Sequence, residues 1–227
     1  MNIVAFTTFD NNFSNIQSIV EPNNKQYFEK YNVDYRGLIG DFDSLVNDAL
    51  MGDAAKITGK ARNYWTKIFL TYNLLTQYNY DWVFMLDADC LVRDHSMDIR
   101  TIIKMAAPNK EFLICHIDDP LTNYWNINIG TFFVKKTPNM INLFKKLMEV
   151  AVQENCKNYE QVIVQSLLRH NADLRKITEI FPSHAFNHGG EFIFHACGST
   201  STGEDFEQSI LNKEQTLLSK LSEIKTI

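Results

Sequence analysis

The chain has 227 residues, 45% of them hydrophobic, which is enough for one substantial buried core and excludes a largely disordered protein. The formal net charge of −5, with no basic stripe or arginine-rich segment, excludes a protein built to bind DNA or RNA.

The start of the chain and its cysteines indicate a cellular compartment. Residues 1–6 contain no basic segment followed by a long apolar run, so we expect neither a secretion signal nor a membrane span. The four cysteines are widely dispersed and form no Cys-Xaa-Xaa-Cys pair, unlike a structural zinc site or a disulfide framework. We therefore expect a cytoplasmic protein with reduced thiols.

Strand-like and helix-like patterns alternate along the chain, which predicts an α/β fold with helices covering a mainly parallel sheet. The first strand is predicted at residues 3–8 and ends in Thr7 and Thr8, with Asp10 close behind. Hydroxyls and an acid at this point suit a nucleotide base or ribose, although a plain polar turn explains them equally well. A helix over 24–32 and a strand over 33–40 would complete one β-α-β unit.

The next predicted element is an amphipathic helix over residues 61–78, where apolar residues recur at three- and four-residue spacing. Lys60 and Arg62 stand at its start, and Lys67 lies along it. These cations could bind a diphosphate if that end of the helix faces a ligand crevice. A solvated helix face is the alternative explanation for each of them.

Two acids follow the apolar run at residues 82–86. If this run is a strand, the alternation of side chains puts Asp87 and Asp89 on the same side. Ligands of open α/β sheets bind beyond the carboxyl ends of the strands, and two adjacent carboxylates repel each other unless a cation joins them. The pair therefore predicts a divalent metal that carries a phosphorylated ligand, against the alternative of an ordinary acidic loop.

The second half of the chain continues the alternation. Strands are predicted at 112–117, before Asp118 and Asp119, and at 131–134, and helices at 139–154, 160–169 and 205–223. Because no repeat or flexible linker divides the chain, we expect one domain over 1–227, with residues 205–225 as a C-terminal helix packed on it. The apolar face of that helix, which closes the core or binds a second domain, carries Phe206, Ile210, Leu217, Leu218, Leu221 and Ile224.

A histidine near the end of the chain is the remaining candidate metal ligand. A short predicted strand delivers His195 into a loop that contains Gly198 and Ser199. Neutral imidazole binds divalent metals, and a glycine lets backbone amides approach phosphate oxygens. His195 is therefore the predicted third ligand, although a histidine at a strand end is often a hydrogen-bonded structural residue.

Several short motifs occur in an order that one enzyme family shares. They are Trp65-Thr66-Lys67, Asp81 to Asp89, Asn128 to Phe133, Glu160-Gln161 and Phe192 to Gly198. In this order they resemble glycosyltransferase family 34, and over about residues 3–200 the chain is also similar to a compact glycosyltransferase domain encoded by chlorella viruses. The resemblance implies a GT-A fold, a nucleotide-sugar donor that is usually UDP-linked, a manganese-type ion and retention of anomeric configuration.

The resemblance also implies roles for individual residues. Asp87, Asp89 and His195 match the metal ligands, and this mixed oxygen and nitrogen set suits Mn²⁺ better than Mg²⁺, which remains the alternative ion. The further residues that match the donor site are Lys67, Ala88, Asn128, Gly130, Gly198 and Ser199.

Gln161 matches the glutamine beside the transferred sugar, where its amide carbonyl could support an oxocarbenium-like centre. The family usually has Asp before that glutamine, whereas this chain has Glu160, which is longer by one methylene. A front-face retaining reaction needs little from the protein beyond orientation and electrostatics. Inversion would need a general base, for which the available carboxylates are Asp118, Asp119, Glu160 and Glu191.

Two other functions stay open. A haloacid-dehalogenase-type phosphohydrolase also places Asp-Xaa-Asp after an apolar strand, with the first Asp as nucleophile, but its further motifs do not follow Asp89. A catalytically silent nucleotide-sugar-binding domain would keep the metal residues without transferring a sugar.

Because no anchor or stem precedes the domain, we expect a viral or bacterial type of enzyme. Its expected partners are a UDP-sugar, a glycan acceptor and a neighbouring glycosyltransferase domain or subunit.

Overall fold

A computed structural model describes residues 1–47, 57–117, 126–187, 190–196 and 204–224, the first three of the last range by backbone alone. The strands are β1 (Ile3–Phe9), β2 (Asp34–Ile39), β3 (Trp82–Leu86), β4 (Cys90–Val92), β5 (Phe112–His116), β6 (Ile127–Lys135), β7 (Thr178–Phe181) and β8 (Ile193–His195). The helices are α1 (Ser14–Lys30), α2 (Phe42–Val46), α3 (Arg62–Gln77), α4 (Arg100–Met105), α5 (Pro138–Gln153), α6 (Glu160–His170), α7 (Ala172–Ile177), α8 (Ser183–Phe186) and α9 (Glu204–Ser222), and a short 3-10 turn covers Asn11–Phe13.

The central sheet has six strands in the order β2-β1-β3-β6-β5-β7, and a second, two-stranded sheet pairs β4 with β8. Strand β6 runs antiparallel to both of its neighbours, whereas the pairs β1–β2, β1–β3 and β5–β7 are parallel. The predicted α/β class with a mainly parallel sheet is therefore confirmed. The reversed strand, β6, lies beside β3, so the residues at the start of β6 lie next to the carboxyl end of β3.

Helix α1 begins ten residues earlier than the helix predicted at 24–32. Pro22 lies inside the observed helix, just before the predicted start, and removes a backbone donor. The buried face of the helix outweighs that loss, because tertiary packing supplies most of the stability of a protein helix. Buried Asn24 adds a direct link to β4: its side chain donates to the Cys90 carbonyl at 2.9 Å and accepts from the Val92 amide at 2.9 Å.

The apolar side chains form three clusters. One covers the face of the sheet under α3 and α5, and a second fills the opposite face under α1 and α4. The third joins Ile210 and Leu217 of α9 to Ile16 and Val20 of α1 and to Phe194 beside the cleft. Helix α9 therefore packs against α1 next to strand β8; the Phe206 side chain lies outside the described residues. None of the described helices combines the length and the apolar character needed to cross a bilayer.

Candidate active site

A cleft of about 640 Å³ opens at the carboxyl ends of β1, β2 and β3. Most of the residues singled out in the sequence line it together: Thr8, Asp10, Lys67, Asp87, Ala88, Asp89, Asn128, Gly130, Glu160, Gln161 and His195. They come from both halves of the chain, since β6 and β8 return beside the end of β3. The fold thus brings the two separate groups of predicted site residues into one cavity.

Four predicted residues lie elsewhere. Lys60 is exposed and is not among the residues that line the cleft. Thr7 is fully buried in β1. Arg62 pairs with Asp43 at 3.4 Å and donates to the Ile57 carbonyl at 3.1 Å, away from the cleft lining. Glu191 is exposed, and its backbone amide donates to the His184 carbonyl. The predicted residues Asp118, Asp119, Gly198 and Ser199 lie outside the described part of the chain.

The two acids of the motif lie in a turn and not on a strand. Strand β3 ends at Leu86, and the Asp87 amide donates to the Gly130 carbonyl at 2.7 Å before the chain turns into β4. The expected alternation of side chains along a strand is therefore not what positions Asp87 and Asp89. The turn directs the two carboxylates to different partners.

Asp87 is held by a buried lysine. Lys67 Nζ lies 2.7 Å from Asp87 Oδ1 and 3.2 Å from Glu160 Oε1, and it donates to the Ile129 carbonyl at 3.3 Å. Burial by itself lowers the pKa of Lys67, but the charges of Asp87 and Glu160 outweigh it and raise that pKa above its ordinary value. Lys67 is therefore a permanent cation that links α3, the motif turn and α6.

Glu160 is only 3% exposed, and burial raises the pKa of its carboxyl although the Lys67 charge opposes this. Its second oxygen, Oε2, has no hydrogen-bond partner among the described residues. Buried polar atoms without a partner are rare and cost free energy, and a role in binding or catalysis is one explanation for them. Gln161, next in the chain, accepts from the Ile129 amide at 3.3 Å, so the Gln161 side chain is fixed against β6.

Asp89 is 6% exposed and has two cationic or potentially cationic neighbours. Its Oδ1 lies 3.1 Å from His195 Nε2, and its Oδ2 is ion-paired with Lys213 of α9. Burial by itself raises the pKa of Asp89, but His195 and then Lys213 outweigh it and hold the pKa well below its ordinary value. Asp89 is therefore a carboxylate.

A hydrogen-bonded chain orients the His195 ring. Asn187 donates from Nδ2 to the His116 carbonyl at 2.9 Å, which turns Asn187 Oδ1 toward His195 Nδ1 at 2.9 Å. Since an amide oxygen can only accept, Nδ1 carries the proton of this contact. Nε2 and Asp89 Oδ1 then face each other as two acceptors unless a proton or a metal ion joins them. A partner on the second nitrogen that fixes the ring is the usual arrangement around a metal-binding histidine.

The cleft also contains a recognisable group of metal-ligating atoms. Among the described residues, ligand atoms of Asp89, Cys90 and His195 lie within 4.8 Å of one another, so these side chains could hold an ion. Cys90 is fully buried, and its thiol contacts the Gly130 carbonyl at 3.7 Å. No pattern in the sequence singled out this cysteine, since it follows the motif on the next strand.

Gly130 makes room for the motif and the histidine to converge. A Cβ built on this residue would lie 2.2 Å from His195 Cε1, 2.8 Å from Asn128 Oδ1 and 2.9 Å from Asp87 Oδ2. The Asn128 side chain is itself fixed, because it accepts from the Gly130 amide at 2.6 Å. No side chain fits there without displacing a predicted ligand.

If the predicted Mn²⁺ site is present, we expect Gly130→Ala to weaken Mn²⁺ binding by about 10- to 100-fold, the range for changes in residues that position metal ligands. The measurement is calorimetric titration with Mn²⁺. Gly37→Ala is a control outside the cleft, since the three atoms nearest to a Cβ on Gly37 all belong to the flexible side chain of Glu21, which can move away. An alanine at 130 that leaves Mn²⁺ affinity at the wild-type value would show that this close approach has no role in metal binding.

Sequence reasoning missed several residues of the site. The sequence could have indicated Lys213, because this charged residue lies at helical spacing between Ile210 and Leu217 and so occupies the apolar face of α9. No sequence pattern could have indicated Asn187, since its role depends on a hydrogen bond to the carbonyl of His116, which is distant in the chain. Tyr64 and Tyr159 line the mouth of the cleft and form an edge-to-face pair, with ring centroids 4.8 Å apart.

The fold closely resembles those of several solved enzymes. A glycosyltransferase involved in glycosylation of the major capsid of PBCV-1 superposes with a TM-score of 0.67, at 14% identity, over 96% of this chain and 100% of that one. The glycosyltransferase GlyE of Streptococcus pneumoniae superposes with a TM-score of 0.55, at 10% identity, over 98% of this chain and 63% of that one. The galactosyltransferase LgtC superposes with a TM-score of 0.52, at 13% identity, over 99% and 97% of the two chains.

At these identities the likeness shows the fold, and it confirms the predicted GT-A architecture and the similarity to the viral domain. None of the comparisons supports the phosphohydrolase alternative. No curated protein matches the chain by sequence.

Family membership comes from the sequence itself. The model of the nucleotide-diphospho-sugar transferase family matches residues 63–211, which include Lys67, the acid pair, Gln161 and His195. The family name implies a nucleotide-sugar donor. The chain therefore belongs to the nucleotide-diphospho-sugar transferase family, and it is a glycosyltransferase with a GT-A fold.

Proposed function

We propose that the protein is a metal-dependent, retaining glycosyltransferase that moves a sugar from a UDP-sugar to a carbohydrate hydroxyl. The observation that carries the proposal is the convergence of Asp87 and His195 on Gly130, with Asp89 against the same imidazole. A single cation at this point would join the facing acceptors of Asp89 and His195 and lie near Asp87 Oδ2, the oxygen that approaches Gly130.

The residues present fit a divalent ion, and we assign Asp87, Asp89 and His195 as its ligands. Carboxylate oxygen with one imidazole nitrogen suits Mn²⁺, whereas a thiolate ligand would favour a softer metal. Cys90 is therefore proposed as a neighbour of the ion and not a ligand. When bound, such an ion neutralises the charge that develops on the leaving nucleoside diphosphate.

We infer the reaction route from the carboxylates that line the described part of the cleft. Among the described residues, the acids lining it are Asp10, Asp87, Asp89 and Glu160. Asp10 caps the short 3-10 turn by accepting from the Asn12 amide at 2.9 Å, and Glu160 is paired with Lys67. Asp87 and Asp89 are assigned to the ion, so each of these four acids already has a proposed role, and we favour front-face transfer with retention, which needs no general base.

We assign the two ends of the cleft to the two parts of the donor. Thr8, Asp10 and Asn12 at the end of β1 would bind the nucleoside, and Asn128, Glu160 and Gln161 would surround the sugar. Glu160 Oε2, which has no partner among the described residues, would accept from a sugar hydroxyl. The nucleoside and the sugar would then each lie against polar side chains that can hydrogen-bond to their hydroxyls.

The acceptor would enter past the aromatic pair at the mouth of the cleft. Tyr159 is 54% exposed, Tyr64 41% and Val162 52%, and all three line the cleft beside Gln161. Aromatic faces with a polar tip bind the apolar face of a pyranose while leaving its hydroxyls hydrated.

We expect Tyr159→Ala to raise the KM for a saccharide acceptor about 10-fold, equivalent to about 1.4 kcal/mol, while hydrolysis of the donor by water continues at the wild-type rate. The assay compares transfer and hydrolysis with an acceptor found by screening oligosaccharides against the wild type. Tyr78→Ala, which removes a tyrosine 42% exposed and outside the cleft, is the control. An unchanged acceptor KM would exclude this route of entry.

The proposed function is tested by calorimetry with UDP, with and without Mn²⁺, followed by hydrolysis assays with a panel of UDP-sugars. Binding of UDP only with the metal, together with turnover of one UDP-sugar, is the expected result. Binding without turnover would instead favour a catalytically silent domain. No UDP binding under any metal condition would overturn the proposal.

The cytoplasmic location, the single-domain organisation and the viral or bacterial type of enzyme remain predictions.

A further inference from the structure

Helix α9 places a lysine inside the proposed metal site. Lys213 is 8% exposed, lines the cleft, and has its ammonium ion-paired with Asp89 Oδ2. The same ammonium donates to the Ala196 carbonyl at 2.7 Å, just after β8. Lys213 therefore contacts both a proposed metal ligand and the strand that delivers His195.

The packing of α9 determines this position. Ile210 and Leu217 lie on either side of Lys213 at helical spacing, and both are buried against α1. A lysine on the buried face of a helix is costly unless its charge is compensated. The compensation comes from Asp89, so the position of the whole helix is linked to the chemistry of the site.

A divalent ion would need the same carboxylate. Asp89 has two oxygens, of which one faces His195 and the other holds Lys213. An ion bound there would compete with the ammonium for the oxygen lone pairs and would be repelled by its charge. A nucleoside diphosphate, in contrast, brings more negative charge than one divalent ion neutralises.

We propose that Lys213 is a donor-binding residue that competes with the metal for Asp89 and moves to the diphosphate of the nucleotide once the metal has bound. This inference depends on the proposed function of the cleft. The flexible four-carbon stem of lysine allows that shift without movement of α9, and its three donors suit phosphate oxygens. Metal and nucleotide would then bind cooperatively, since each removes an obstacle to the other.

The test uses Lys213→Met, which keeps the length of the stem and removes the charge. We expect Mn²⁺ alone to bind about 10-fold more tightly, because its competitor is gone. We expect UDP at saturating Mn²⁺ to bind about 10- to 100-fold more weakly, because a charge-assisted contact to phosphate is lost. The probes are MnCl₂ and UDP, with free Mn²⁺ measured by electron paramagnetic resonance and UDP binding by calorimetry.

Opposite changes in the two affinities separate this role from a purely structural one, which would weaken both. Lys220→Met is the matched control, since Lys220 lies on the same helix, pairs with Glu223 at 2.8 Å and does not line the cleft. Lys213→Arg keeps the charge and should restore both affinities toward the wild type. If Lys213→Met does not fold, Lys213→Gln, which keeps a donor without the charge, replaces it.

Mn²⁺ affinity that is unchanged or weaker in the folded neutral variant would overturn the competition for Asp89. UDP affinity that is unchanged would overturn the diphosphate contact. If the wild type binds Mn²⁺ but not UDP, the proposed donor is wrong, and the Mn²⁺ titration still decides whether Lys213 competes for Asp89. If the wild type binds neither, both proposals fail.

Discussion

Asp89→Asn is expected to weaken Mn²⁺-dependent binding of UDP by at least about 100-fold and to remove transfer activity. The substitution keeps the size of the side chain and removes the charge that pairs with Lys213 and that the proposed ion would need. It also leaves an amide where His195 Nε2 lies 3.1 Å from the carboxylate. Calorimetry with UDP at a fixed Mn²⁺ concentration measures the loss, and hydrolysis of a UDP-sugar measures the effect on turnover.

Asp94→Asn is the matched control for this variant. Asp94 carries the same charge a few residues further along the chain, and its carboxylate accepts from the Ser96 amide at 2.8 Å outside the cleft. Because Asp89→Asn leaves Lys213 buried without its counter-charge, its melting temperature should be recorded before any titration. A folded Asp89→Asn protein that binds UDP and Mn²⁺ like the wild type would show that Asp89 is not a ligand of the proposed metal site.

Lys67→Met is expected to reduce the free energy of unfolding by about 3–5 kcal/mol and to abolish transfer. The lysine is 6% exposed and is the cation shared by Asp87 and Glu160. Its removal leaves Glu160 buried without its cationic partner and releases Asp87 from the position in which it faces the proposed metal site. Urea denaturation measures the stability, and a UDP-sugar hydrolysis assay measures the activity.

A second substitution tests the cause of that loss. Glu160→Gln added to Lys67→Met removes one of the two stranded charges, so the double variant should recover part of the stability, although not the activity. Lys25→Met is the control, because Lys25 forms a surface pair with Glu29 at 3.9 Å. An unfolding midpoint for Lys67→Met that equals the wild-type midpoint would mean that this buried network does not stabilise the fold.

Much of the fold followed from local patterns in the sequence. The strand before Asp87, the helix that carries Lys67 and the helix that begins at Glu160 are all present close to their predicted bounds. The prediction was wrong at α1, where Pro22 concealed a helix that tertiary packing stabilises, and in treating the acids as strand residues when they lie in a turn. Both errors arose where contacts distant in sequence outweigh local preference.

The sequence by itself determined the α/β class and the chemical types of the site residues, because hydrophobic periodicity and ligand chemistry are properties of neighbouring residues. The sequence also identified the acid pair, His195, Gly130 and Gln161 as candidate site residues. Only the tertiary structure decided how they meet: Gly130 leaves the space into which His195 and Asp87 converge, and Lys213 reaches Asp89 across 124 residues of chain. Such contacts depend on the packing of whole helices and strands, which no short segment of sequence encodes.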